Sequence, residues 1–570
     1  MGTHTIPKEI LVDLQEKYDK VRKLLDEDSK RDPVTEPYRS KYTASGILTD
    51  MKSILVKVLD DVNSNDSHYL QYKAMLGVVS LNLGLISIDT EELSTGEEQL
   101  TNCVDSLSDE SLKPEVILIL ITALNQLGIL WSERGDPEKA KEHLERAEKL
   151  YEEYTKDPNA TSAISFQDLF RTSSPEVPQP DTENMLEKLY TLTLYYLAQI
   201  YGTLNDHVKS ASYCHTTLKR QLESKDFDPV DWALNSATLS QYFTEKNAFS
   251  QARHHLRERF RHRTADVARC WAKYGLVLLS TSKERLMSEV NESDEPESRS
   301  SSNSNIQELG ELWFTSLELS SYEDDITDKY LLIYDDARKV FLHAQMWLNK
   351  AKKYYTLDGH ASDCVQIIQD ISQLYKYLAF FEEDEERQSR MHKRRVDHLE
   401  SVLKELNPQY YLLVCRQLWY ELGETYSDIL DIKLQRLQAT DDRPTPHALR
   451  KVNHLAEQSI ANYNKFLESL KDSSTGSMPT RLTEDLIRPT LIAYFRVGRL
   501  YSKIVTPDKA TQLEHIRQSY EAYKFLVDYC KNDKDAKSQV SVELVVCEDM
   551  VKLLPLKLER LQREVQEQEN

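Results

Sequence analysis

Apolar residues recur three and four positions apart through most of this chain, the spacing that places them on one face of an α-helix. The clearest stretch, Ala123 to Tyr154, adds a second regularity. Leu127, Gly128 and Trp131 sit where the first helix of a tetratricopeptide unit needs a leucine, a small residue and an aromatic. Gly135-Asp136 makes the turn, and Ala140, Leu144 and Ala147 follow at the spacing of the second helix. The physical content is close approach. Gly128 and Ala140 let two backbones come together, while Leu127, Trp131 and Leu144 fill the space between them.

The same register recurs. LYYLAQIY carries Ala198 and Tyr201 and is followed by Ser210, Cys214 and Thr217; ATLSQYF carries Ser240 and Phe243 and is followed by Ala252 and Leu256. Gly423 with Tyr426 and Gly498 with Tyr501 repeat it later. An early unit around Gly77, Gly96, Leu100 and Cys103 fits if its turn runs long, through Ile88 to Glu92. Segments such as Asp336 to Tyr355 and Ala361 to Phe381 are amphipathic but match poorly. The pattern predicts an all-α, tetratricopeptide-like right-handed α-solenoid of helical hairpins, degenerate in its second part. Ser288 to Asn305 is acidic, serine-rich and nearly devoid of large apolar residues, which predicts a flexible linker. The expected organisation is a helical subdomain over 1–287, the linker over 288–305 and a second helical subdomain over 306–570. Shorter breaks are expected at 157–184, 440–446 and 471–480.

Stacked hairpins form a concave face lined by their first helices, where side chains without packing duty can bind a partner. In the register above, Asn125, Gln199 and Gln241 fall at equivalent outward-facing positions. Three uncharged hydrogen-bonding side chains there suggest a polar groove.

Composition narrows the function. Glycine is scarce, with 14 in 570 residues, too few for a large β-protein or a loop-rich phosphate-binding enzyme. The net charge of −22 argues against nucleic acid as partner and for a basic protein surface. The seven cysteines form no CxxC pair and read as packing residues of a reduced intracellular protein. No signal region, myristoylation pattern or window of ~18 apolar residues is apparent, so a cytoplasmic protein without membrane insertion is expected. No Walker, GxGxxG, HExxH or GxSxG motif and no metal-ligand set is present. A non-enzymatic scaffold without cofactor or metal follows, with monomer the favoured state. The basic stretch from Arg253 to Arg263 and the acid run Glu382 to Glu386 read as solvated helix faces; His392 to Arg395 reads as a structural or partner-facing helix. The seam tyrosines Tyr201, Tyr426 and Tyr501 should send their hydroxyls to water.

Several strings are not repeat consensus. They include EPYRSKY (Glu36–Tyr42), IDTEELSTGEE (Ile88–Glu98), NQLGILWSER (Asn125–Arg134), YCHTTLKRQLE (Tyr213–Glu223), MHKRR (Met391–Arg395), NPQYYLLV (Asn407–Val414) and FRVGRLYSKI (Phe495–Ile504). On these the chain resembles, nearly end to end, the KIF-binding protein family of tetratricopeptide-rich kinesin regulators. The resemblance implies that the concave face grips the motor domain of a subset of kinesins, the kinesin-3 class among them, and keeps it off microtubules. It also implies a cytoskeletal setting and roles in axonal and mitochondrial transport. The family's motor-contacting residues match Tyr196, Gln199, Gln221 and Thr238. The rival reading is a tetratricopeptide co-chaperone adaptor, which clamps a terminal carboxylate with basic residues. The corresponding positions are Ala74, Val78, Gln126, Leu192 and Tyr196, none of them Lys or Arg.

Overall fold

The computed structural model describes residues 8–62, 66, 68–158, 161–171, 181–225, 227–256, 264–291, 326–439, 444–472, 476–479 and 481–569. Among them the regular structure is helical throughout, and it divides into two compact units that meet in sequence between Leu239 and Ser240.

The first unit contains α1 (Lys8–Asp26), α2 (Arg39–Asp61), α3 (Tyr69–Asp89), α4 (Leu93–Leu107), α5 (Ile117–Glu133), α6 (Pro137–Lys156), α7 (Phe166–Leu169), α8 (Asp181–Thr203), α9 (His207–Ser224) and most of α10 (Pro229–Glu245). From α1 to α9, apart from the four-residue α7, helices consecutive in the chain pack on one another, as short connections require. Helix α3 is apolar on all sides and sits between its neighbours with two thirds of its most apolar window buried. By length and composition it is able to cross a membrane, so the expectation that no such window exists is corrected. Its apolar surface is used for packing. The loop expected at 157–184 carries α7, whose following residue Phe170 stacks on Tyr18 with ring centroids 4.3 Å apart, and α8 already begins at Asp181.

The hairpin turns share one geometry, which explains the repeat register. Gly135, Asn205, Asn247 and Glu91 all have left-handed φ, between 58° and 77°. After each, a backbone N–H returns to the preceding helix: Asp136 to the Trp131 carbonyl at 3.0 Å, Asp206 to Tyr201 at 2.9 Å, Ala248 to Phe243 at 2.9 Å and Glu92 to Ser87 at 2.8 Å. This closes the helix C-terminus in the Schellman manner. Asp136 and Asp206 then cap the second helix by accepting from the N–H of Lys139 and Lys209. In the early unit the helix runs through Asp89, so its turn is shorter than the pattern suggested.

Close approach occurs where the small residues predicted it. A Cβ on Gly128 would lie 2.5 Å from Leu144 Cγ. A second device was not read from the sequence. Ser210 donates to the Ala198 carbonyl (2.7 Å), Ser459 to Gly423 (2.6 Å), Ser519 to Gly498 (2.8 Å) and the Cys103 thiol to Gly77 (3.3 Å). A small donor on the second helix thus ties itself to the backbone of the small residue on the first.

The second unit contains the end of α10, α11 (Phe249–His255), α12 (Thr264–Asn291), α13 (Tyr334–Lys352), α14 (Leu357–Phe381), α15 (Glu385–Glu405), α16 (Leu412–Ala439), α17 (Pro446–Glu468), α18 (Glu484–Lys503), α19 (Lys509–Asn532), α20 (Lys534–Gln539) and α21 (Ser541–Glu569). Helices α12 and α13 pack on each other through Trp271 and Trp347, stacked at 6.1 Å, and through Gly275 against Ala344. The serine-rich stretch lies in sequence between these two helices. Ser288 to Asn291 belong to α12, and 292–305 lies outside the described residues. The two units part in sequence between Leu239 and Ser240, ahead of the serine-rich stretch.

Three local expectations change. His254 and His255 are buried, not solvated, and Arg253 pairs with Asp328 at 3.2 Å; 257–263 lies outside the described residues. The acid run is a turn and a helix start rather than a helix face: Glu382 is buried, Asp384 caps α15 through the Arg387 N–H, and Glu386 bridges Lys433 and Arg436. The seam tyrosines reach side chains, two of them carboxylates. Tyr201 donates to Glu145, and Tyr426 to Glu400 at 2.6 Å, while Tyr501 bonds to Asn464.

The basic segment His392 to Arg395 is structural. Arg395 is fully buried; its guanidinium donates to Ser372 Oγ (3.1 Å), His392 Nδ1 (3.0 Å) and Asp428 (3.0 Å), with Glu421 at 3.7 Å. Burial among these charges pushes His392 down to about 4 and raises Glu421. Six cysteines are buried and Cys214 half-buried. Burial pushes Cys103 and Cys547 up to about 12, which leaves them poor nucleophiles.

Candidate functional site

A cleft of about 840 Å³ in the first unit opens between α8, the end of α9 and the start of α10. Its base is built around Arg220. Tyr151 and Tyr190 stack at 3.7 Å, Arg220 lies 4.6 Å from the Tyr190 ring, and its guanidinium bonds Glu187 and the Thr191 hydroxyl (3.1 Å). Tyr151 in turn donates to Glu187 at 2.6 Å. Burial pushes Tyr190 up to about 12. At the other wall Trp232 is buried, with its indole N–H donating to the Leu218 carbonyl at 2.9 Å, which fixes the start of α10 against α9.

The rim is acidic. Glu187, Glu223, Asp228 and Asp231 face Lys188 and Arg220, and Arg220 is already committed to Glu187. A basic guest would meet complementary charge here, with exposed Tyr195 supplying an aromatic edge.

A smaller cleft of about 270 Å³ continues along α8 and α9, lined by Tyr195, Gln199, Ser210, Cys214, Gln221 and Asn235 among others. The structure therefore brings Gln199 and Gln221 together, and Gln221 borders both clefts. Thr238 is exposed one turn beyond Asn235 on α10, its hydroxyl donating to the Leu234 carbonyl at 2.9 Å.

The other candidates are placed differently. Asn125 is buried rather than outward-facing: its amide donates to the Leu189 carbonyl (3.1 Å) and its oxygen accepts from the Thr193 hydroxyl (2.8 Å). It ties α5 to α8. The register was right, but α8 packs over that position. Tyr196 is half-buried against the cluster of Ala140, Leu144, Leu197, Ile200 and Tyr201 beside Trp131; Tyr195, not Tyr196, borders the clefts. Gln241 lies in the second unit, exposed, with its amide donating to Cys270 Sγ at 3.2 Å. Tyr195, Glu187 and Arg220 were missed from sequence. Asp228 and Asp231, close together at the start of α10, were the available signal.

No group of three or more His, Cys, Asp or Glu side chains poised to hold a metal occurs among the described residues. The clefts present amides, carboxylates and aromatic edges, a set suited to binding.

Comparison with known proteins gives the family. The chain matches the model of the KIF-1 binding protein C-terminal family over residues 230–258 and 257–561. It is 39% identical to the KIF-binding protein of Gallus gallus, covering 96% of this chain and 97% of that one. It is 38% identical to that of Danio rerio over the same shares, and 37% identical to that of Drosophila melanogaster over 97% of each. Identity of this level sustained across nearly the full length of both partners, with the family's own model spanning most of the second unit, makes this chain a member of the KIF-binding protein family.

Proposed function

We propose that this protein binds the motor domain of certain kinesins, the kinesin-3 class among them, with the cleft face of α8, α9 and α10 and thereby keeps the motor off microtubules. The observation that carries this reading is the acidic, amide-bearing rim: Gln199 and Gln221 supply directional hydrogen bonds, and Glu223, Asp228 and Asp231 favour a basic guest. The surface by which a motor holds acidic tubulin has to be basic, so the same guest chemistry serves both contacts, and occupying it here prevents attachment there. Opposite charge would chiefly raise the rate of encounter. The relatives' name supports the class of client. The proposed setting is cytoplasmic and cytoskeletal, with transport of axonal and mitochondrial cargo as its context.

The test is co-sedimentation of a kinesin-3 motor domain with microtubules in a non-hydrolysable ATP analogue, with and without this protein. A motor that moves to the supernatant as a stoichiometric complex is the expected result. The double variant Gln199→Ala with Gln221→Ala should weaken that complex by about tenfold, on the scale of two lost polar contacts, with helicity unchanged. Tyr196→Phe, which keeps the packed ring, tests the family-derived tyrosine without opening a cavity. A motor retained on microtubules at saturating protein would refute the proposal.

A further inference from the structure

The second unit carries a surface of the opposite sign. A cleft of about 340 Å³ lies between the first halves of α13 and α15, over α14. Four arginines line it, Arg338, Arg387, Arg390 and Arg394, all exposed, in a chain whose net charge is −22. Their neighbours neutralise them only in part, Arg387 and Arg390 each having one long carboxylate pair. Glu386 makes its short pairs with Lys433 (2.8 Å) and Arg436 (2.9 Å), and Arg390 stands off at 3.7 Å. Arg387 reaches the buried Glu382 only at 3.7 Å. Among the described residues no carboxylate lies within ion-pair distance of Arg338 or Arg394. Arg394 instead donates to the Tyr375 hydroxyl at 3.2 Å, as does Gln345 at 2.9 Å.

Between the arginines the floor is apolar. Phe341, Tyr375 and Leu378 are buried beneath it, Met391 is half-buried, and Leu342 at the lip is 47% exposed. The volume is at the small end of ligand-sized clefts, about 300–1,000 Å³. It has room for one bulky side chain, not for a domain.

We infer that this cleft is a second docking site, for an acidic peptide segment of another protein that inserts one aromatic or large aliphatic side chain between α13 and α15. Carboxylates on either side of that anchor pair with Arg338, Arg387, Arg390 and Arg394. Arginine suits the task because its planar fork pairs two-point with carboxylates and its weak hydration lowers the cost of burying the contact. The site lies in the second unit and rests on none of the residues of the α8–α10 clefts. A client held there and an acidic segment held here would therefore be separable.

The probe is a fluorescein-labelled peptide, DEEFEED, capped at both ends and titrated with the full chain at about 50 mM salt, where screening is moderate. Saturable binding is expected. It should fall about tenfold for NQQFQQN, for DEESEED and for the variant Arg338→Ala with Arg390→Ala, each a loss of ~1.4 kcal/mol. Both arginines are exposed, so helicity should be retained; either single variant gives the same readout at smaller amplitude. The Gln199→Ala with Gln221→Ala protein should bind the peptide like wild type. Absence of saturable binding overturns the inference, as does equal affinity for the arginine variant or for the peptide lacking phenylalanine.

Discussion

Replacing His392 by Gln should change how the stability of the second unit depends on pH. In the folded chain Nδ1 of His392 accepts from Arg395, whose guanidinium is always a donor. Protonating the ring would place a donor against a donor in a site only 8% exposed. Desolvation is the main cause of the shift, from the ordinary 6.5 to about 4. Arg395 and Lys376 push the same way, and Asp428 opposes them. Asp428 also holds Arg395 at 3.0 Å. A folded value below the unfolded one means stability that is fully present above about pH 6.5 and lost as pH falls towards 4. The full difference is about 3 kcal/mol, from ~1.4 kcal/mol per pH unit. Between pH 8 and pH 5 the loss is about 2 kcal/mol.

Glutamine keeps an acceptor for Arg395 and cannot take up a proton. The assay is amide hydrogen exchange in α15, because a chain of two units has no single unfolding free energy. Comparing wild type with His392→Gln at each pH cancels the intrinsic rate of exchange. It also cancels the titration of Glu421, whose raised value acts with the opposite sign, stabilising at low pH and costing stability as pH rises. Wild type should lose about 2 kcal/mol more protection than the variant between pH 8 and pH 5. Parallel pH profiles would refute the claim that burial beside Arg395 holds His392 neutral.

Two further outcomes follow from the packing of the first unit. Gly128→Ala should destabilise the α5–α6 hairpin by about 1–3 kcal/mol, read as lost amide-exchange protection in α5 and α6, because the new Cβ meets Leu144 at Cγ as well as at its methyls; unchanged protection would mean the helices can separate freely. Asn125→Ala should cost about 1–2 kcal/mol by removing the link between α5 and α8, while the folded fraction binds its client with wild-type affinity. A selective loss of binding at full stability would restore Asn125 as a contact residue.

How far each feature could be read from sequence follows from its range in the chain. Trp131, Gly135 and Asp136 announce a helix, its left-handed stop and the next N-cap within six positions, so hairpins and register were legible. Gly128 and Leu144 were legible too, because one hairpin contains both. Asn125 was misplaced because a register identifies equivalent positions without saying which helix of the next hairpin covers them. Tyr195 and Tyr196 are neighbours in sequence, and only the angle at which α8 lies on α6 and α9 sends one to the cleft and the other to the seam. The buried Arg395 was hidden in a basic run, since its partners Ser372, Glu421 and Asp428 come from two other helices.

The sequence by itself determined the helices, their pairing into hairpins, the close contacts within each pair and the family, because these depend on residues near in the chain or on strings matched directly. Only the tertiary structure decided which polar side chains are spent inside, as with Asn125, His392 and Arg395, and which remain on a surface, as with Gln199, Gln221 and the four arginines of the second cleft. Burial is a property of what packs over a residue, and that cover arrives from helices tens of positions away.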